Sequence, residues 1–533
     1  MNRIPAFLLT LLFLVKSLIC LTAEPNTSKI SAIQFSPIRT PAIVGKTNKG
    51  LYHLNILNEG STETIDLKKI VIKFTPDSQP DCISSLTVAN TGTIDSIFGT
   101  SQKVGIKTTI SGNRTMTTGP NVINLDFVIK PDAQLTKKFE IQDIELIFSN
   151  KQTIKVNPDS KFAFRPTLLL RASGQDQVDT YRIPGLATTN KGTLIAVYDI
   201  RYLGGSDLQG DIDVGMSRST DGGQTWSAMK KVLDMGEYGG LPQDQNGIGD
   251  PAVLVDKATN TIWVAGLWVN GIPGQTAWGG SKPGLKPGET GQLVLTKSDD
   301  DGVTWSQPIN ITEQCKKSEW NLFFQGPGNG ITMNDGTLVF AAQYKDSQAI
   351  PFSTIIYSRD KGKTWSVGTG AKSNTTESQV VQLNDGSLIL NMRDNRNGKE
   401  KGDQNGRAVS ITSDMGQTWK VHSSSNSLLP ESVCMASLIS ATVRIHGVPK
   451  NVLFFSNPNV KSTRSNLTIK ASLDEGNSWP VEFQSELNSA NSLGYSCLTM
   501  VNESTIGILY EGIKDLYFQK IKVDELLNNH PKK

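Results

Sequence analysis

One eight-residue pattern, S-x-D-x-G-x-T-W, constrains the fold of this chain more than any other feature of its sequence. Full copies begin at Ser219, Ser298 and Ser358, and variants begin at Thr412 and Ser472. Successive copies start 79, 60, 54 and 60 residues apart. Strand-rich repeats of this length are typical of β-propeller blades. At about 60 residues per blade, the region 165–527 predicts a six-bladed β-propeller.

The repeated pattern has a local physical reason. An Asp in a hairpin can accept backbone N–H groups of its own turn, and the Gly takes a φ that other residues avoid. The Trp can then cover the neighbouring strands. Such boxes also occur in propellers without catalysis, so the pattern predicts a folding device, and any chemistry must come from other residues.

The chain before the repeats has a different periodicity. From about Ser31 to Val156, apolar and polar residues alternate in short runs, as in "KKIVIKF" and "NVINLDFVIK", separated by Gly, Asn, Asp and Pro. This pattern is typical of antiparallel strands in a β-sandwich. The sequence therefore predicts an all-β protein, with a sandwich at 24–160 and a propeller at 161–533, and a boundary near Ser160.

The first 23 residues read as a secretory signal peptide. Arg3 precedes an uncharged apolar run, and Ala23 precedes a polar sequence. The run is too short to be a convincing membrane span, and no later run is long enough. Cys20 is a candidate for lipid attachment, although the bulky Ile19 makes that signal poor. We expect an exported protein, either periplasmic, on the outer surface or secreted.

Charge and composition exclude several classes of function. Removing Arg3 and Lys16 with the leader lowers the formal charge from +3 to +1, so nothing attracts the chain to nucleic acid. The four remaining cysteines allow one disulfide but do not select it, and the four histidines are isolated in sequence. We expect no metal, no other cofactor and a monomer.

Three arginines stand apart from the repeated boxes. Arg182 in "YRIPGL", Arg393 in "NMRDNR" and Arg464 in "TRSNLTIK" fall in well-separated blades. Taken singly, each arginine is most often a surface cation or half of an ion pair. Brought to one end of a propeller axis, three guanidinium groups would instead bind an anion through paired hydrogen bonds.

The single-copy motifs carry a family resemblance. The boxes, "YRIP", "RYLGGSDLQGDID", "TESQVV", "LNMRD", "RSNLTIK" and "LGYSCLTM" together resemble a bacterial exo-sialidase, or neuraminidase, from about Arg165 to the C-terminus. The resemblance implies a propeller enzyme that releases terminal α-linked sialic acid from sialylated glycans. The N-terminal part more weakly resembles an accessory domain, and a carbohydrate-binding module and a spacer are both open for it.

The resemblance also implies roles for nine residues. Arg182, Arg393 and Arg464 match the arginines that bind the substrate carboxylate, and Glu511 matches the acid that orients the first of them. Arg201 and Asp250 match residues that contact other substituents of the sugar. For Arg201, Asp250 and Glu511, a structural ion pair is the alternative.

The remaining three matches would carry the chemistry. Tyr495 matches the nucleophile, Glu377 the base beside it and Asp207 the acid/base residue. Without the resemblance, Tyr495 reads as a buried strand aromatic, and the two carboxylates read as solvated loop residues. A neutral phenol suits this substrate because a carboxylate nucleophile would meet the charge of the sialic acid carboxylate. The expected course is retention of configuration through a covalent tyrosyl intermediate.

The longest interval between boxes contains an irregular segment rich in Gly and Pro, Gly271 to Gly291. We interpret it as a loop at the rim of the site, with Trp268 and Trp278 as candidate walls for the apolar part of the sugar. Core packing is the alternative for Trp268. Gln343 in "FAAQY" is a weaker candidate for a polar contact.

Two other functions remain open from the sequence. The same residues would serve transfer of the sialyl group, either to another sugar or internally to give an anhydro product. A glycan-binding propeller without turnover is a different class. The presence of Tyr495, Glu377 and Asp207 together argues against that class, because binding would need only the arginines.

Overall fold

The computed structural model describes residues 30–59, 65–90, 96–208, 210–270 and 277–527. The predicted signal peptide and Cys20 lie outside these residues. Helices in the described part are short, namely α1 (Ala277–Gly280), α2 (Thr312–Cys315) and α3 (Val523–Leu527). None of them has the length and apolar character that a membrane-spanning helix needs.

Two antiparallel sheets near the N-terminus enclose one apolar core. Their strand orders are β1-β3-β8-β5-β6 and β10-β9-β4-β7. Side chains alternate between buried and less buried positions along β8, as expected for a strand with one face against the core. The strands are β1 (Ile30–Pro37), β3 (Thr47–Asn58), β4 (Ile65–Phe74), β5 (Ile83–Asn90), β6 (Ile97–Ser101), β7 (Lys107–Met116), β8 (Gly119–Ile129), β9 (Ile141–Phe148) and β10 (Thr153–Val156).

The rest of the chain forms antiparallel sheets that follow one another in sequence. The first group contains β12 (Thr180–Thr188), β13 (Leu194–Arg201), β14 (Ile212–Ser219), β15 (Lys230–Leu233), β16 (Asn246–Val255), β17 (Ile262–Asn270), β18 (Gln292–Ser298) and β19 (Ile309–Asn310). The next contains β20 (Leu322–Gln325), β21 (Gly328–Asn329), β22 (Ile331–Thr332), β23 (Leu338–Lys345), β24 (Pro351–Ser358), β25 (Ser366–Val367) and β26 (Lys372–Ser373), of which β21 pairs with β16.

Three further sheets complete the ring. They contain β27 (Thr375–Gln382), β28 (Leu388–Asp394), β29 (Ala408–Thr412) and β30 (Lys420–Val421), then β31 (Ser437–Ile445), β32 (Val448–Pro458), β33 (Leu467–Ser472) and β34 (Gln484–Asn488), then β35 (Ser496–Asn502), β36 (Thr505–Glu511) and β37 (Leu516–Lys522). The last sheet also takes in β11 (Pro166–Arg171), which pairs with β37. This pairing of distant segments closes the ring, and the prediction of an all-β propeller protein is confirmed.

The repeated boxes are hydrogen-bonded turns at the outer strands. In the first box, Asp221 Oδ1 accepts the N–H groups of Gln224 and Thr225 at 3.0 and 2.9 Å. Gly223 has φ +87°, and a Cβ there would lie 2.3 Å from the ring of Phe518. The ring of Trp226 packs edge-on against the same Phe518 at 5.1 Å. The box therefore acts through its own turn and through packing on the next sheet.

The N-terminal sheets and the propeller share a hydrogen-bonded junction. Strand β2 (Ala42–Ile43) adds in parallel to the edge of β11. Arg39 Nη1 lies 2.9 Å from Glu486 Oε2, and the Arg39 carbonyl accepts the Ser489 N–H at 2.7 Å. β2 pairs with Pro166 and Thr167 and so covers the first part of the sheet edge that β11 forms.

The cysteines of the described residues are all unpaired. Cys82, Cys315, Cys434 and Cys497 are each buried as free thiols. The single disulfide that the sequence allowed does not form among them.

Candidate active site

The first strands of the sheets bring the predicted residues to one end of the propeller. Arg182 lies early in β12, Asp250 in β16 and Glu377 in β27. Tyr495 immediately precedes β35, and Glu511 ends β36. In an antiparallel pair the start of the first strand lies beside the end of the second, so Tyr495 before β35 and Glu511 at the end of β36 share one face.

Backbone irregularities aim several of these side chains. The β12/β13 and β16/β17 registers shift after Arg182 and after Gly249, where the chain reads Ile183-Pro184 and Asp250-Pro251. Ile183 and Asp250 both have φ +55°, and proline suits such a position because it has no N–H to leave unpaired. Glu377 also stands at a register shift. Bulges of this kind turn a side chain out of the regular alternation, and strained backbone concentrates at functional sites.

Tyr495 forms the centre of the cluster. Its hydroxyl donates a short hydrogen bond to Glu377 Oε1. Arg393 Nη1 donates to the Tyr495 hydroxyl at 3.1 Å and to Glu377 Oε2 at 2.7 Å. Burial and the Glu377 carboxylate raise the pKa of Tyr495 well above its ordinary value of 10.0, although Arg393 and Arg464 oppose the shift. The phenol is therefore neutral at rest and already hydrogen-bonded to a base.

The three predicted arginines surround this tyrosine. The guanidinium carbons of Arg182 and Arg464 lie 5.3 and 5.6 Å from the centre of the Tyr495 ring, within the range of a cation–π contact. Arg464 is held by the carbonyls of Leu493 and Val433, each at 2.9 Å. Arg182 is 211 positions from Arg393 and 282 positions from Arg464 in the chain, and the structure brings the three together.

Glu511 is buried and ties two of these residues together. Its Oε1 accepts Arg182 Nε at 3.1 Å and the Ile183 N–H at 2.9 Å. Its Oε2 accepts the Tyr495 N–H at 2.9 Å. One carboxylate therefore sets both the Arg182 side chain and the backbone of Tyr495.

A second cluster surrounds Arg201. This arginine is fully buried and paired with Asp199, whose Oδ2 accepts Arg201 Nη2 at 2.7 Å and Nε at 3.0 Å. Asp199 Oδ1 also accepts the Asp250 N–H at 2.8 Å. Asp199 was not predicted as a site residue from the sequence. Its only signal was the spacing of two residues from Arg201 on one strand, which puts both side chains on the same face.

Asp207 lies at the edge of both clusters. Its Oδ1 accepts Arg201 Nη1 at 2.7 Å and Arg182 Nη1 at 3.2 Å, while its side chain is 72% exposed. The protein groups packed around the Asp207 carboxyl displace water and alone would raise its pKa, but Arg201 and Arg182 outweigh this effect, and the pKa is lowered below the ordinary 3.8. The carboxylate is ionised at neutral pH in this arrangement.

The Asp250 carboxyl has the opposite electrostatic environment. Burial and the nearby carboxylates of Asp199 and Asp207 raise its pKa well above 3.8. An acid whose pKa is raised in the folded state stabilises the fold at low pH, and this contribution is lost as the pH rises through the folded value. Asp250 is therefore a source of instability at neutral and higher pH.

We expect Asp250→Asn to stabilise the protein by about 1 kcal/mol at pH 8, as substitutions of strained site residues often do. The gain should shrink towards pH 4, because the carboxyl of the unfolded chain then also binds a proton, and folding no longer has to take one up. Thermal unfolding at both pH values measures the difference. As a control of opposite sign, Asp360→Asn should lower stability at pH 8, because hydrogen bonds from Thr364 hold the pKa of Asp360 at about 2. An Asp250→Asn gain that is equal at both pH values would contradict this account.

The prediction that Trp268 forms a wall of the sugar site is wrong. Trp268 is fully buried and packs edge-on against Tyr238 at 4.9 Å, so the core alternative holds.

Trp278 is 40% exposed, and Lys345 Nζ lies 4.8 Å above its ring. Gln343 is buried and donates to the backbone of Gln325 at 3.4 Å, so it supports the strand. Residues 271–276 of the predicted rim loop lie outside the described part.

Known proteins are similar to this chain in sequence and in fold. Residues 192–508 match the BNR repeat-like domain. A sialidase of Bacteroides fragilis (strain YCH46) is 47% identical over 425 residues, which cover 79% of this chain and 77% of that protein. An anhydrosialidase of Macrobdella decora is 25% identical, and the match covers 65% of this chain and 61% of that protein. The solved structure of the Hadza microbial sialidase Hz136 superposes with a TM-score of 0.84 at 38% identity, covering 92% of this chain and all of that one. The chain belongs to the bacterial exo-sialidase family of glycoside hydrolases.

Proposed function

We propose that the protein hydrolyses terminal α-linked sialic acid from glycans with retention of configuration, through a covalent intermediate on Tyr495. The observation that carries this proposal is the hydrogen bond from the Tyr495 hydroxyl to Glu377 inside a ring of three arginines. A nucleophile paired with a base is the recurring arrangement of covalent catalysis. Sialidases with a tyrosine nucleophile are a known exception to the rule of two carboxylates.

The charge of the substrate accounts for the choice of tyrosine. The anomeric carbon of sialic acid carries a carboxylate, which would repel an Asp or Glu nucleophile. The raised pKa of Tyr495 makes a standing phenolate rare at neutral pH. Glu377 therefore takes the phenol proton as the oxygen–carbon bond forms, and returns it when the bond to the sugar breaks.

The arginines would bind the substrate carboxylate. Arg182, Arg393 and Arg464 supply positive charge close to Tyr495, and guanidinium groups hold carboxylates through paired hydrogen bonds. Each arginine is itself oriented, by Glu511, by Glu377 and by two backbone carbonyls. This preorganisation favours a planar anion in one orientation over the nucleophile.

Asp207 would protonate the departing glycosidic oxygen and later activate the water that releases the sugar. Its lowered pKa opposes the first of these roles as long as Arg182 and Arg201 hold it ionised. A substrate carboxylate that binds Arg182 would compete for that charge and raise the pKa of Asp207. Substrate binding would thereby prepare the acid it needs.

Arg201 and Asp250 would contact other substituents of the sugar. Arg201 is held in place by Asp199 and by the Gly205 carbonyl at 2.7 Å. Among the described residues, the Asp250 carboxyl receives no hydrogen bond, and its raised pKa leaves it able to donate one. These two groups would read the ring hydroxyl and the N-acetyl region.

Internal transfer is a second candidate reaction. It is favoured by the likeness to the Macrobdella decora protein, which is named an anhydrosialidase. The same nucleophile, base and arginines would serve it, and a hydroxyl of the sugar would take the place of water.

Purified mature protein is expected to release the fluorophore from a fluorogenic α-sialoside and to yield the α-anomer of free sialic acid first. NMR spectra in the first minutes follow the sugar before it mutarotates. An anhydro or transferred sugar would keep the site and replace hydrolysis with transfer. A folded protein that turns over none of several α-sialosides would reject the enzyme and leave a glycan-binding propeller.

We further propose a division into a sandwich at 24–160 and a six-bladed propeller at 161–533, exported behind a signal peptide and active as a monomer. Every aromatic side chain in the described residues between 30 and 164 is buried. That part of the chain therefore lacks the exposed rings on which sugar sites are often built. Its contacts at Arg39 and β2 support a structural brace for the propeller.

A further inference from the structure

A buried ion pair lies directly behind the candidate site. Arg407, immediately before β29, and Glu431, between β30 and β31, are each 1% exposed, and Arg407 Nη1 lies 2.7 Å from Glu431 Oε1. Among the hydrogen bonds of the described residues, the Tyr495 hydroxyl pairs with Arg393 and Glu377 and with neither member of this pair. Removing two charges from water costs several kcal/mol per ion, so a buried pair is weak evidence of a stabilising role.

The guanidinium of Arg407 uses all of its donors. A guanidinium group has five N–H groups in a fixed plane. Nε donates to Asn391 Oδ1 at 2.7 Å, and Nη1 donates to Glu431 and to the Cys434 carbonyl, both at 2.7 Å. Nη2 donates to the Asn391 carbonyl at 3.3 Å and to the Glu377 carbonyl at 3.5 Å. A lysine at this position could keep the charge but not this set of directions.

Glu431 uses its second oxygen in a similar way. Its Oε2 accepts the Asp394 N–H at 2.9 Å and Asn397 Nδ2 at 2.6 Å. Its backbone is fixed in turn by Asn405, which accepts the Glu431 N–H at 2.9 Å and donates to the Glu431 carbonyl at 2.8 Å. The acid therefore links two loops to the end of β28.

These contacts reach the backbone of all three functional segments nearby. Arg407 donates to the carbonyl of Glu377 and to the carbonyl of Asn391, two residues before Arg393. Glu431 accepts the N–H of Asp394, one residue after Arg393. It also bonds the carbonyl of Cys434, and the preceding carbonyl, that of Val433, accepts from Arg464. Glu377 stands in a bulge, where the regular strand pairing does not hold it.

We propose that the Arg407–Glu431 pair is a positioning device for the reaction, which holds the Glu377 bulge and the Arg393 strand in register so that Glu377 meets the Tyr495 hydroxyl. This inference rests on the proposed function and extends it to residues that contact no substrate. The pair spans the β27–β30 sheet and the loop before β31, so it also fixes the spacing between two neighbouring sheets at the site.

Arg407→Lys tests the proposal, with Arg165→Lys as the matched control. Arg165 is another buried arginine, 8% exposed, and its Nη2 lies 2.8 Å from Glu525 Oε2 in α3. For each variant, kcat and KM on an α-sialoside are measured across pH, well below the Tm found by thermal unfolding. A crystal structure of Arg407→Lys reports the contact between Glu377 and Tyr495.

We expect Arg407→Lys to lower kcat by about tenfold or more, as a displacement of a reacting group by a fraction of an ångström does. The pH at which kcat/KM falls to half on the acidic side should differ from the wild-type value. The contact between Glu377 and Tyr495 should lengthen. Arg165→Lys should lower only the Tm. If Arg407→Lys kept the wild-type kcat, the wild-type pH profile and the contact between Glu377 and Tyr495, and only its Tm fell, the pair would be structural. That result would reject the proposal.

The crystal structure separates this inference from the proposed function. Wild-type protein that turned over no α-sialoside would reject the enzyme proposal. The variant structure would still decide the positioning role, because a displaced Glu377 supports it and an unmoved Glu377 overturns it.

Discussion

Tyr495→Phe is expected to lower kcat for α-sialosides by on the order of 10³-fold or more, because it removes the oxygen that would form the covalent bond. The ring and its packing between Arg182 and Arg464 remain, so folding and substrate binding should change little. Steady-state kinetics with a fluorogenic sialoside measure the loss. Incubation of the wild type with 2,3-difluorosialic acid, followed by peptide mass spectrometry, should place the adduct on Tyr495.

Tyr510→Phe is the matched control for this substitution. Tyr510 is a fully buried tyrosine in β36, packed in the apolar core shared by the last sheets. Its variant should keep near-wild-type kcat. A Tyr495→Phe protein with wild-type kcat, or an adduct on another residue, would show that Tyr495 is not the nucleophile.

Asp207→Asn is expected to lower kcat/KM by about 10²- to 10⁴-fold on a sialoside with a sugar leaving group, the range for loss of a general acid. On an aryl sialoside the loss should be much smaller, since a phenolate leaves without a proton. Both losses come from kinetics on the two substrates. Asp211→Asn, four residues along the same loop, is the control and should leave the ratio of the two substrates unchanged.

The pH dependence of the wild type has a sign set by the same residue. Arg201 and Arg182 lower the pKa of Asp207 in the free protein, so the protonated acid is scarce at neutral pH. If substrate carboxylate neutralises Arg182, the alkaline limb of kcat, which reports the complex, should lie at higher pH than that of kcat/KM. Equal losses on both leaving groups, together with coincident limbs, would assign Asp207 to binding alone.

The arginine cluster could be named from the sequence only with the family resemblance. Arg182, Arg393 and Arg464 carry no local signal that distinguishes them from surface cations. Their approach to Tyr495 depends on the closure of the ring by β11 on β37, a pairing between segments about 350 residues apart. No local interaction in the sequence encodes that distance.

Burial was the property that the sequence analysis judged least well. Trp268 stands beside the long insertion, whose composition suggested a rim position, with core packing as the alternative. In the structure it lies under Tyr238 in the core between strands. Whether an aromatic ring faces solvent or core depends on the sheet above it, which local pattern does not specify.

The repeated boxes by themselves determined the architecture of this protein. The hydrogen bonds of each box close within its own turn, and five such turns at intervals of 54 to 79 residues indicate repeated sheets. Tertiary structure alone decided the site. The contact of Tyr495 with Glu377 joins two different sheets, and such a contact arises only once the ring has closed.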